Sequence, residues 1–163
     1  EVWENLPGTR GASVFLSQWY EVLPASRDAE DDAFWSEMMS VRQQVNKALE
    51  LAREQGTLRG SLDAAVTLYA EPVLAERLRS LGEELRFVLI TSEASVEEWA
   101  QAPNDAIEAE GVPLKVIAVA STSEKCERCW HRRDDVGAHS AHPTLCGRCV
   151  TNIDGQGEVR QFA

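Results

Sequence analysis

The sequence predicts an α+β fold: a long helix plus a small mixed sheet with packed helices, followed by a small four-cysteine module. Three observations carry this expectation. Phe34, Met38, Val41, Val45, Leu49 and Ala52 recur at helical spacing. Residues 62–70 and 112–120 read as strands, one by alternation and one as a continuous apolar run. All four cysteines lie together near the end, in two C-x-x-C pairs.

Taken in order, residues 1–28 contain LPG, further glycines and Pro24. They read as loop with one short extended piece over 13–20, SVFLSQWY. The apolar stripe that follows predicts a helix of about seven turns, opened by Asp31 and Asp32 at its positive end and stopped at Gly56. Leu62, Ala64, Val66, Leu68 and Ala70 then alternate with Asp63, Ala65, Thr67 and Tyr69, which is strand periodicity. Pro72 suits a first helical turn, with Leu74, Leu78 and Leu81 on one face and Gly82 at the end. EELRFVLITSEASV is open to two readings, a short helix through Leu85, Val88 and Leu89 or a strand over 88–91. Residues 101–111 are polar and read as loop, VPLKVIAVA as a central strand, and STSEK as a linker. The expected domains are therefore 1–28 as a connecting region, 29–121 as an α+β body, and 122–163 as a metal-binding module.

The apolar fraction of 44% is ordinary for a globular chain. No apolar run approaches the ~18 residues that cross a bilayer, so no membrane partner is expected. The opening EVWENLPG has neither the basic start nor the apolar stretch of a signal peptide. It begins with Glu1 rather than methionine, which fits an excised fragment or a processed chain. The net charge of -11 argues against indiscriminate nucleic-acid binding. The excess is local. Of 16 basic and 27 acidic residues, six of each lie from Glu124 onward, leaving 10 basic and 21 acidic residues before it. The arginines of the neutral tail crowd around the cysteines, so a polyanion would meet that end first.

The cysteines admit three chemistries. A redox C-x-x-C usually occurs once, at a helix start in a βαβ unit, and disulfides need an oxidising compartment. Cys126, Cys129, Cys146 and Cys149 instead follow C-x2-C-x16-C-x2-C, the spacing of a four-thiolate zinc site. Four thiolates close the shell, so one structural zinc ion is the expected cofactor and the tail reads as a four-cysteine zinc-finger module. His131, His139 and His142 lie between the pairs and could replace a cysteine, but four sulfurs already suffice. Both knuckles read C-x-R-C, placing Arg128 and Arg148 at equivalent positions, with Trp130, His131, Arg132 and Arg133 beside them. Arginine beside aromatic groups suits phosphate contact and base stacking. The alternative is internal: Trp130 packing on the metal site, and the arginines paired with Glu127, Asp134 or Asp135.

KCERCWHRRDDVG and HPTLCGRCVTNIDGQGEVRQFA closely resemble the C-terminus of bacterial isoleucyl-tRNA synthetases, a class I family whose chains typically end in such a zinc module. WENLPG, VRQQVNKALELAR, GSLDAAVTLYAEP and ELRFVLITS resemble the region linking that family's anticodon-binding helices to the finger, so the resemblance covers essentially the whole chain. It implies ATP-dependent charging of tRNA(Ile) with isoleucine by the full-length enzyme. The partners it implies are tRNA(Ile) and the rest of the synthetase chain, and the setting a monomer in the cytoplasm. The nucleotide-binding signatures of a class I catalytic core do not occur here, so no catalytic residue is expected in this chain. The tRNA-facing candidates are Arg128, Trp130, His131, Arg132, Arg133 and Arg148. Two other classes compete: the DNA-binding finger of a repair glycosylase, which carries a related module, and a zinc-stabilised protein-interaction module. Salt-dependent RNA affinity separates them.

Overall fold

Residues 2–19, 21 and 29–162 are described by the computed structural model, and the chain forms two compact units, Glu1–Ala33 and Phe34–Ala163. In the first unit, Val2–Asn5 forms a single helical turn, α1. Trp3 Nε1 donates to the Gly11 carbonyl at 2.9 Å, and the Arg10 guanidinium lies over its ring at 5.0 Å. The extended piece expected over 13–20 is not formed: Val14–Leu16 makes a 3-10 turn instead. The Ser13 hydroxyl accepts from the Phe15 amide at 3.3 Å, a local hydrogen bond that competes with a strand. Tyr20, at the end of that piece, lies outside the described residues.

The long helix is α2, Ala29–Glu54. Met38, Val41, Val45, Ala48, Leu49 and Ala52 are all buried along one stripe. Its stop is built by Gly56 at φ +72°: the Gly56 amide donates to Arg53 and the Thr57 amide to Ala52, both at 2.9 Å. This is the left-handed C-terminal cap that glycine suits best.

Chain reversal then leads through a 3-10 turn into β1, Ala64–Ala70. Pro72 opens α3, Pro72–Ser80. Of the two readings of the ambiguous segment the helix is realised, as α4, Leu85–Leu89; no strand forms over 88–91, and β2, Glu93–Glu98, begins beyond it because Val88 and Leu89 are already held in the helix. Ile90 turns left-handed at φ 56° to separate them. A short strand β3, Ile107–Glu108, appears where only loop was expected. It forms because its partner strand β4, Leu114–Ala120, supplies ladder bonds that the polar sequence cannot advertise.

The sheet is mixed, in the order β2-β1-β4-β3, with β1 parallel to β2 and antiparallel to β4. Strand β4 is central, as expected, but only one of its faces is deeply covered. Leu114 and Val116 join Val66, Leu68, Leu74, Leu78 and the α2 stripe in one core, whereas Val119 on the other face is half exposed.

The tail contains β5, Glu124–Lys125, paired antiparallel with β6, Arg132–Arg133, and then α5, Gly147–Asp154. STSEK does not hang free. The Ser121 amide donates to the Asp63 carbonyl at 2.8 Å, and the Ser121 hydroxyl is bonded to Glu93. The chain therefore enters the cysteine module anchored on the edge of the sheet.

Candidate metal centre

Each cysteine pair is a tight turn. The Trp130 amide donates to the Cys126 carbonyl at 2.9 Å, and Trp130 itself is left-handed at φ 66°. The second pair spans the start of α5, where the Val150 amide donates to the Cys146 carbonyl at 3.1 Å. The Gly147 amide donates to Asp135 Oδ2 at 2.9 Å, and a Cβ at Gly147 would stand 2.8 Å from that oxygen, so any larger residue would push this carboxylate aside.

The turns bring Cys126, Cys129, Cys146 and Cys149 together with all four sulfurs within 4.8 Å of one another. Cys129 Sγ and Cys146 Sγ are 3.8 Å apart. Sulfurs at ~2.3 Å from a tetrahedral zinc ion stand ~3.8 Å apart, whereas a disulfide needs ~2.05 Å. The donor set fits zinc, and the four cysteines are free thiols or thiolates rather than disulfides. Three of them are buried, and Val136 and Leu145 pack against them in a cluster distinct from the core of the body.

The sulfurs are not electrostatically alike. Burial pushes the Cys126, Cys129 and Cys146 thiols up, but the amides of Cys129, Cys146 and Arg128 point at the Cys126 sulfur and take it down to about 6. Burial, with the neighbouring Cys129 charge adding to it, pushes Cys146 up to about 12, and burial raises Cys129 as well. One thiolate is thus ready to meet a cation, and the cation must displace protons from its neighbours.

The histidines are placed elsewhere. His142 Nε2 pairs with Asp154 Oδ2 at 2.6 Å, and the His131 ring meets Phe87 edge-on, with centroids 5.8 Å apart. Burial and the nearby charges of Arg86 and Arg148 hold the His131 imidazole down at about 4, so it stays neutral.

The six candidate RNA-facing residues divide by exposure. Arg128 and Trp130 are exposed, Trp130 by 60%, and the Lys125 ammonium stands 5.6 Å from the Trp130 ring. Arg128 Nη1 also approaches Cys149 Sγ at 3.6 Å. Arg132 turns inward: its Nε donates to Asp63 Oδ1 at 2.8 Å, its Nη1 to the Ser123 carbonyl, and its amide to Ser92 Oγ at 2.6 Å. Arg148 pairs with Glu158 at 3.1 Å and lies over Phe87. Burial works against its charge, but Glu158 and the Cys129 and Cys149 sulfurs outweigh it and raise the guanidinium. Arg133 and His131 are half-buried between these groups.

Sequence reasoning passed over Asp63 and Ser92, which hold Arg132, Phe87, which meets His131 and Arg148, Glu158, which holds Arg148, and Arg86, buried beside them. One signal was present. Arg86 interrupts the otherwise apolar LRFVL, and a lone charge on a buried helix asks for a partner.

The sequence pattern of the family described as "Zinc finger found in FPG and IleRS" matches residues 123–152. Proteins named isoleucine–tRNA ligase from Shewanella putrefaciens and Shewanella baltica are each 53% identical to this chain over all of its length. The chain spans 18% of those relatives. Sulfur geometry, finger pattern and full-length identity agree: this chain matches the C-terminal part of bacterial isoleucine–tRNA ligases, and its tail, with a four-cysteine cluster, matches the zinc-finger pattern found in such enzymes.

Proposed function

We propose that this chain is the tRNA-facing C-terminal part of an isoleucine–tRNA ligase that works in the cytoplasm, where the full-length enzyme charges tRNA(Ile) with isoleucine at the expense of ATP. Activation and transfer take place in the rest of the synthetase chain. This part presents a rigid contact to the tRNA and to the neighbouring anticodon-binding region. Cys126, Cys129, Cys146 and Cys149 hold one zinc ion, whose role is structural because four sulfurs leave no place for a reacting water.

The observation that carries the RNA reading is Trp130. A large apolar ring at 60% exposure, in a backbone conformation that costs an L-residue about 1–2 kcal/mol, is poorly explained by packing alone. Beside it stand Lys125 and Arg128. An exposed indole with cations at its rim suits an unpaired nucleobase and its phosphate. Arg132 and Arg148 serve by holding the finger in place, and Arg133 and His131 line the flank of the same surface. The acidic body keeps the polyanion to this one end.

Trp130→Gly tests this directly, because glycine accepts the left-handed turn. The zinc-loaded variant is expected to melt no lower than the parent while its affinity for tRNA(Ile) falls about tenfold, the worth of a lost base stack. Equal affinities for parent and variant, measured at low and moderate salt, would sink the assignment.

A further inference from the structure

Between α4, the finger and the C-terminal tail lies a cavity of about 340 Å³ whose wall carries four guanidinium groups, those of Arg86, Arg133, Arg148 and Arg160. Four carboxylates also line it, so the question is which charges are already matched. Glu84 accepts the amides of Gln161 and Phe162, each at 2.7 Å. Glu158 holds Arg148, Arg160 and Asn152 at 2.8–3.1 Å. Asp135 Oδ2 accepts the Gly147 amide. That leaves Glu83, whose side chain is 79% exposed, as the carboxylate nearest both Arg86 and Arg133. It stands 3.6 Å from the first and 3.5 Å from the second, too far for a strong charge-assisted bond to either.

Arg86 is the unusual member. It is only 6% exposed, and neither its Nε nor its Nη1 has a hydrogen-bond partner. A buried guanidinium with unmet donors is costly, and native folds normally satisfy such groups. Arg148 Nε is likewise buried and unmet. One acceptor, Asp135 Oδ1, is unmet on the same wall. Phe87 supplies an apolar floor, with Arg86 and Arg160 lying 4.1 and 4.2 Å from its centroid.

We propose that this cavity is a phosphate-binding site, with Arg86 and Arg133 as the forked donors and Asp135 Oδ1 accepting from a hydroxyl of the same ligand. The matching chemistry is a phosphate ester next to a free hydroxyl, as in a nucleotide or at a ribose of an RNA strand. Arginine forks bind phosphate oxygens bidentately, and a half-dry wall strengthens each bond. The site stands on the cavity and does not depend on Trp130 contacting tRNA.

The test uses the zinc-loaded chain and three probes: inorganic phosphate, adenosine monophosphate and a short RNA stem-loop. Side-chain Nε–H resonances of Arg86 and Arg133 report binding. Phosphate is expected to shift both. Arg133→Gln, at the cavity rim, weakens binding tenfold or more, the worth of a charge-assisted bond. Glu83→Gln strengthens binding, because it removes the competing carboxylate, and a purely structural arginine cluster would not respond in that direction. Lys47→Gln, whose ion pair with Glu110 touches none of these residues, leaves binding unchanged. If the stem-loop displaces phosphate, the source is RNA; if only the mononucleotide does, it is a small ligand. No shift with any probe, or equal affinity in Arg133→Gln and Glu83→Gln, overturns the site. Loss of stem-loop binding in Trp130→Gly with phosphate binding intact separates this site from the base-stacking surface.

Discussion

Cys126 and Cys146 share one four-sulfur cluster yet hold their protons very differently, because backbone amides converge on the first and apolar burial dominates the second. With the Cys146 and Cys129 thiols raised, both are protonated at neutral pH. Zinc binding must expel at least those two protons, so apparent affinity should fall about a hundredfold for each pH unit below neutral. The loss should steepen near pH 6, where Cys126 also takes up a proton. A chelator-competition titration between pH 5.5 and 7.5 checks this, and a flat profile would mean the sulfurs are already ionised. The four-cysteine cluster itself was legible from spacing, since each C-x-x-C is a local turn. The residues that seat the finger were not. Asp63 and Arg132 are 69 positions apart, and nothing in either neighbourhood announces the other.

At the scale of elements, local signals served wherever one periodicity ran long enough to dominate. The α2 stripe, the alternation in β1, Pro72 at the start of α3 and Gly56 after α2 were all readable. Gly56→Ala should cost about 1 kcal/mol, the penalty for a Cβ in a left-handed cap, even though the added methyl would meet nothing within 4 Å. Urea unfolding of the zinc-loaded chain measures it, and an unchanged midpoint would show that the cap has another conformation open to it. The segment from Glu83 to Glu98 resisted reading because helix and strand follow within a few residues, parted by Ile90. A β-branched residue at φ 56° runs against its own preference and gives no warning in sequence. Strand β3 was missed for a different reason: two residues carry no periodicity, and the strand exists through its pairing with β4.

In the Phe34–Ala163 unit, two apolar clusters, one in the body and one around the cysteines, are joined by polar contacts. Arg132 reaches Asp63 and Ser92, and the C-terminal tail places two amides on Glu84. Chelating the metal should therefore melt one cluster and spare the other. Amide exchange is expected to lose protection across residues 126–151 while β1 and β4 keep theirs. Simultaneous loss in β1 would mean that the body depends on the finger for its stability. The seam between the clusters also creates the arginine-walled cavity, which neither part would have alone.

The sequence alone determined the four-cysteine cluster, the principal helix, two of the strands and the resemblance to a synthetase C-terminus, because each rests on neighbours in the chain or on a spacing that one local turn can satisfy. Tertiary structure decided which arginines face outward. Arg132 and Arg148 look like Arg128 in the sequence, yet they are spent on Asp63 and Glu158. It also gathered Arg86, Arg133 and Phe87 around one cavity. Charge pairing acts through space between distant positions, so only the folded chain fixes which charges are matched and which remain for a ligand.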